Sequence, residues 1–132
     1  DAGLEDLETY QGFQARADDV KNALLDYLID RKRAGQTVVA YGAAAKGNTL
    51  LNYAGVKPDL IKYVCDNAES KQGKYMPGSH IPIRPPSALE TDMPDAVLIL
   101  PWNIADEIRS IAEKRVPKAC RFVAAIPSLR VL

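Results

Sequence analysis

The stretch Thr37-Val38-Val39-Ala40-Tyr41-Gly42-Ala43-Ala44-Ala45-Lys46-Gly47 constrains the fold more than any other. Residues 37–41 are β-branched or apolar and read as a buried strand. A turn of small residues follows, and residues 48–53 continue as a short helix ending near Gly55 and Pro58. A buried strand that enters a helix this way opens a βαβ unit. Further strands are expected over residues 60–65, 96–100 and 121–126, with Pro127 closing the last. Helices are expected to start near residues 87–89 and to run over residues 103–115, with Asn103 as cap and Asp106 and Glu107 in the first turn. Residues 68–86, rich in Gly, Pro, Lys and Tyr, read as a long irregular stretch.

Strands alternating with helices at this spacing imply an α/β fold. The expectation is a Rossmann-like, doubly wound, mostly parallel sheet with helices on both faces. A long N-terminal helix precedes it. Leu4, Leu7, Phe13, Val20, Leu24, Tyr27 and Leu28 fall on one stripe, with Gly12 a possible break. Arg31, Lys32 and Arg33 suit the helix C-terminus, and Gly35 can cap it. Two parts are therefore expected: residues 1–35 as a linker helix and residues 36–132 as the Rossmann-like domain. Because the first residue is Asp1, the chain is expected to be a piece of a longer protein.

The 132 residues are 47% apolar and 26% charged, as in a soluble domain. Seventeen basic and seventeen acidic residues cancel, which argues against a general nucleic-acid or membrane binder. No apolar run is long enough to span a bilayer. Cys65 and Cys120 sit in or beside apolar runs and read as buried free thiols of a cytoplasmic protein. With one histidine and two distant cysteines, no usual zinc cluster can be assembled.

In parallel α/β sheets ligands lie outside the carboxyl ends of the strands. Gly42, Ala44 and Gly47 keep the spacing of the dinucleotide fingerprint, with Ala in place of its middle glycine. That glycine lets the backbone approach a pyrophosphate, so Ala44 weakens the case for ordinary NAD binding. Asp66 lies 19 residues after Gly47, near where such folds place a ribose-binding acid. The spacing suits a nucleotide-like ligand, or equally a loop that only packs. Lys46 at a helix start opposes the helix dipole, which an anion would relieve. Asn48 and Thr49 read equally as plain first-turn residues.

The run Lys71-Gln72-Gly73-Lys74-Tyr75-Met76-Pro77-Gly78-Ser79-His80-Ile81-Pro82-Ile83 is long and mixed for a connector. With Gly73 and Gly78, few aliphatics and several charges, the loop over residues 68–82 is the expected most mobile internal segment in the absence of ligand. His80 has a near-neutral reference pKa but no triad, and reads as a structural or surface histidine. After the third strand, Trp102 reads as an edge cover and Asn103 as the cap; either could also touch a ligand.

Three blocks together resemble a known family. They are residues 39–53, residues 71–83, and Val97-Leu98-Ile99-Leu100-Pro101-Trp102-Asn103. They resemble the C-terminal domain of the S-adenosylmethionine-dependent sugar C-methyltransferases, which methylate a carbon of a nucleotide-linked deoxyketo sugar. The resemblance implies a Rossmann-like substrate-binding domain with no catalytic residue and no metal of its own. It implies a preceding methyltransferase domain that holds S-adenosylmethionine and the catalytic base. It also implies that Tyr41, Gly42, Ala43, Ala44, Lys46, Gly47, Asn48, Thr49, Asp66, Lys71, Gln72, Tyr75, Pro77, Gly78, His80, Trp102 and Asn103 contribute to nucleotide-sugar binding. Two rivals stand beside it: a free-standing nucleotide- or coenzyme-A-binding module, and an oxidoreductase, which Ala44 and the lack of a visible substrate domain disfavour.

Overall fold

A computed structural model describes residues 2–126 and 129–132, with side chains from residue 16 onward. Pro127, and the side chains of Leu4, Leu7 and Phe13, lie outside the described residues.

The expected β1 forms over Val38–Tyr41, with all four residues buried. It lies at the centre of a six-stranded sheet with β2 (Val64–Cys65), β3 (Ile83–Arg84), β4 (Ala96–Ile99), β5 (Arg121–Ala124) and β6 (Arg130–Val131), in the order β3-β2-β1-β4-β5-β6. Every pairing is parallel except β5 with β6, which is antiparallel.

Alternation along each strand sends side chains to two faces. Val38, Ala40, Val64, Leu98 and Val123 meet one set of helices: α1 (Ala2–Arg33) through Leu24 and Leu28, and α2 (Ala45–Ala54) through Leu51 and Ala54. Val39, Tyr41, Cys65, Val97, Ile99 and Phe122 meet the other: α3 (Ala88–Asp92) through Leu89, and α4 (Ala105–Ala112) through Ala105, Ile108 and Ala112. Strands β1 and β4 are covered on both sides, which is why they are continuously apolar.

Helix α1 runs unbroken through Gly12. Leu24 and Leu28 are fully within the core. Tyr53 of α2 donates its hydroxyl proton to Asp18 of α1, and the Lys21 ammonium lies 5.4 Å from the Tyr53 ring centre. The second half of α1 is thus a layer of the sheet's packing. Gly35, at φ +75°, ends it: its N–H binds the Lys32 carbonyl, and the Gln36 N–H binds that of Arg31.

Several expectations need correction. Residues 68–86 are not wholly irregular, because Ile83–Arg84 pairs with β2 as β3. The segment before it folds back on itself. Met76 donates its N–H to Ile81, Ile83 donates to Lys74, and Tyr75 bridges to Pro82. Met76, Ser79, Ile81 and Ile83 are buried, so the segment carries its own apolar anchor. The second strand keeps only Val64–Cys65, although Ile61 is buried. The fourth helix is flanked by 3-10 turns at Trp102–Ile104 and Glu113–Arg115, and Asn103 is not its cap: Ile104 stands there without a side-chain bond. The last long strand stops at Ala124, and β6 follows as an edge strand.

Candidate functional site

The carboxyl end of β1 turns at Gly42, whose φ is +98°. A Cβ there would lie 2.5 Å from Cδ of Pro101, the residue two beyond β4, so only glycine fits. Ala44, extended at φ −94° and ψ 163°, then leads into α2. Gly47 packs against Leu100, where a Cβ would fall 2.7 Å from the leucine Cβ. The two outer glycines of the fingerprint therefore let turn and helix seat on the strand ends.

Helix α2 starts without any side-chain cap and with no acidic residue in its first turn. The first N–H groups of a helix have no partner inside it. They open beside a groove of about 440 Å³ lined by Ala43, Ala44, Ala45, Asn48, Ser70, Lys71, Lys74, Tyr75, Met76, Pro77 and Ile83. No carboxylate lines it. The Asn48 side-chain oxygen is buried without a partner there. Tyr75 is 63% exposed at the rim.

Behind this wall the β1–α2 turn is held from the next strand. Asp66 accepts the Ala43 N–H at Oδ2 (2.7 Å) and the Ala68 N–H at Oδ1 (2.8 Å). Lys71 Nζ donates to the Ala43 carbonyl at 2.9 Å, and Gln72 Nε2 donates to the Asp66 carbonyl at 2.8 Å. The Tyr41 hydroxyl donates to Asn67 Oδ1 at 3.2 Å, and burial raises its pKa. The folded-back segment is pinned to α2 in turn: Asn52 Nδ2 donates to the Pro77 carbonyl (2.9 Å), and Lys57 Nζ to that of Gly78 (3.0 Å).

Of the residues singled out from sequence, Ala43, Ala44, Asn48, Lys71, Tyr75 and Pro77 meet at the groove. Lys46 and Thr49 are exposed on α2 outside its lining, and Thr49 bonds back to the Ala45 carbonyl. Tyr41, Gly42, Gly47, Asp66 and Gln72 lie behind it as support. Gly78 abuts Asn52, and exposed His80 lies outside the lining, at φ 59°. No hydrogen bond joins His80 to Ser79 among the described residues. Trp102 and Asn103 line a different groove, with Ile104, Asp106, Glu107 and Arg130.

Lys74 and Ser70 line the groove as well. Lys74 is one of the two lysines of the 71–83 run whose charge suits a charged ligand, whereas nothing in the sequence marked Ser70.

A larger groove, about 680 Å³, lies at the amino end of β5 between Arg109, Lys118, Cys120 and Leu132, away from the turns where these sheets bind ligands. Among the described residues, no three His, Cys, Asp or Glu side chains gather as a metal site, and no helix is long and apolar enough to cross a membrane.

A mostly parallel six-stranded sheet with helices on both faces, and an open groove at the carboxyl end of its central strand, defines an α/β domain. Comparison with known proteins gives the family: the chain belongs to the C-methyltransferase C-terminal domain family, whose model matches residues 1–127. The C-methyltransferase NovU of Streptomyces niveus is similar to it, 35% identical over 130 residues, which cover 98% of this chain. The chain spans 31% of that relative's length.

Proposed function

We propose that this chain is the substrate-binding domain of an S-adenosylmethionine-dependent C-methyltransferase and holds a nucleotide-linked sugar by its diphosphate. The observation that carries the reading is the uncapped start of α2, open on a groove with two lysines and no acid. Free N–H groups and the positive end of the helix dipole favour a bound anion. Lys71 and Lys74 add full charges from the facing segment, and Lys46, exposed on the helix outside the lining, adds one at longer range. The Asn48 amide oxygen would accept from a sugar hydroxyl or a base N–H. The exposed Tyr75 ring would cover the sugar or base from the rim.

The first five strands follow the order of the dinucleotide-binding fold, so we read the domain as Rossmann-like with an antiparallel sixth strand. NAD is a poor fit, because Ala44 narrows the turn and Asp66 already binds two backbone N–H groups. S-adenosylmethionine is a poor fit as well: a sulfonium cation would face lysines with no carboxylate in the lining. The methyl donor is therefore assigned to a preceding domain of a longer cytoplasmic enzyme, and this chain alone transfers no methyl group. Its contribution is to bind and orient the sugar.

Calorimetric titration tests this. Nucleoside diphosphates and nucleotide sugars should bind, and NAD and S-adenosylmethionine should not. Binding of either cofactor in preference to nucleotide sugars would overturn the reading.

A further inference from the structure

The acid that follows the second strand is placed as in a dinucleotide fold, yet it does not reach the groove. Asp66 is absent from the lining, and each of its oxygens accepts a backbone N–H. One of those N–H groups is that of Ala43. The carbonyl of the same residue accepts from Lys71. Ala43 is thus gripped at both polar ends by side chains from the adjoining segment, one residue before the extended Ala44 that starts α2. Gln72 completes the device by binding the Asp66 carbonyl.

We propose that Asp66 is a positioning residue: with Lys71 it grips Ala43 and thereby aims the free N–H groups of α2 into the groove. This rests on the reading of the groove as a diphosphate site. The physical reason is preorganisation. A turn of three small residues, Gly42 to Ala44, has little side-chain packing to fix its direction, so a mobile turn would lose conformational entropy each time it closed on a ligand. A carboxylate on the N–H groups of Ala43 and Ala68, and an ammonium on the Ala43 carbonyl, pay that cost on folding instead. Asp66 does not contact the ribose.

The test compares uridine diphosphate with inorganic pyrophosphate, which has no ribose, on the 132-residue chain. Asp66→Asn keeps one acceptor oxygen, and Asp66→Ala keeps none. Binding of both probes should weaken together, by about tenfold for Asn and more for Ala. Amide hydrogen exchange without ligand should accelerate at Ala43, Ala68 and the first turn of α2 in both variants. If Asp66→Ala does not fold, Asp66→Asn carries the comparison. Loss of uridine diphosphate binding with pyrophosphate binding unchanged would place Asp66 on the ribose and overturn the proposal. So would unchanged exchange at Ala43 and α2. If the parent chain binds neither probe, the diphosphate reading fails, whereas the exchange experiment still decides whether Asp66 grips the turn.

Discussion

Two helices start at the same edge of the sheet, and they start differently. Helix α4 follows β4 through a 3-10 turn and carries Asp106 and Glu107 in its first turn. Its own acids offset the positive end of its dipole. Helix α2 follows β1 through a glycine turn and has a lysine where α4 has acids. Its turn is held by Asp66 and Lys71 from behind, and its front is left open. The difference separates a helix start satisfied within the chain from one that would gain from an outside anion.

The largest effect should come from the turn itself. Gly42→Ala places a Cβ 2.5 Å from Pro101 at φ +98°, so it should cost about 2–3 kcal/mol of stability. Chemical denaturation would register it. An unchanged midpoint would mean that the turn is looser than its contacts require.

Reversing charge at the two helix starts should split binding from stability. Lys46, exposed outside the lining, acts on the anion only through space, so Lys46→Glu should weaken nucleoside diphosphate binding by about 2- to 5-fold, the equivalent of roughly 0.3–1 kcal/mol. It should leave melting unchanged or slightly raise it, because an acid suits that position. Asp106→Lys should do the opposite, lowering stability by about 0.3–1 kcal/mol with binding intact. A Lys46→Glu protein that melts lower yet binds as before would erase the contrast.

The smallest effect concerns the thiols. Burial raises the Cys65 pKa to about 12 and that of Cys120 to about 11. Cys65, under the gripped turn, is 0% exposed, and Cys120, before β5, is 9% exposed. Iodoacetamide should therefore modify native Cys120 before Cys65. Both folded pKa values lie above the ordinary thiol value of 9.0. Their contribution to stability is complete below pH 9, where both states keep the proton. It is lost between pH 9 and about 12, as the unfolded thiols ionise first. Denaturant midpoints should fall across that window, and Cys65→Ala should flatten the fall.

The same contrast explains what the sequence disclosed. Strands β1 and β4 are buried on both faces, so an unbroken apolar run marked them. The turn at Gly42 was marked by residue size. Strand β3 was hidden because two residues between Pro82 and Pro85 carry no period, and its pairing with β2 depends on the segment before it folding back. Strand β6 is as short and lies at the edge. The position of Asp66 was legible, but its target was not. A fingerprint spacing gives the distance to a strand end and not the direction of a carboxylate. The local signal was the sequence Asp66-Asn67-Ala68, in which a short acid commonly binds the N–H two residues on; here it does so at 2.8 Å. Trp102 and Asn103 share the sheet edge with α2, yet they open on another groove because Pro101 fills the space against Gly42.

The most direct measurement is a titration of the chain with uridine diphosphate followed by backbone amide shifts. Saturable shifts should gather at Ala44, Ala45, Lys46, Gly47 and Asn48 and at Lys71, Lys74 and Tyr75, with little change from Trp102 to Glu107. Shifts centred on Trp102–Glu107, or none at millimolar ligand, would contradict the assignment of the diphosphate to the open start of α2.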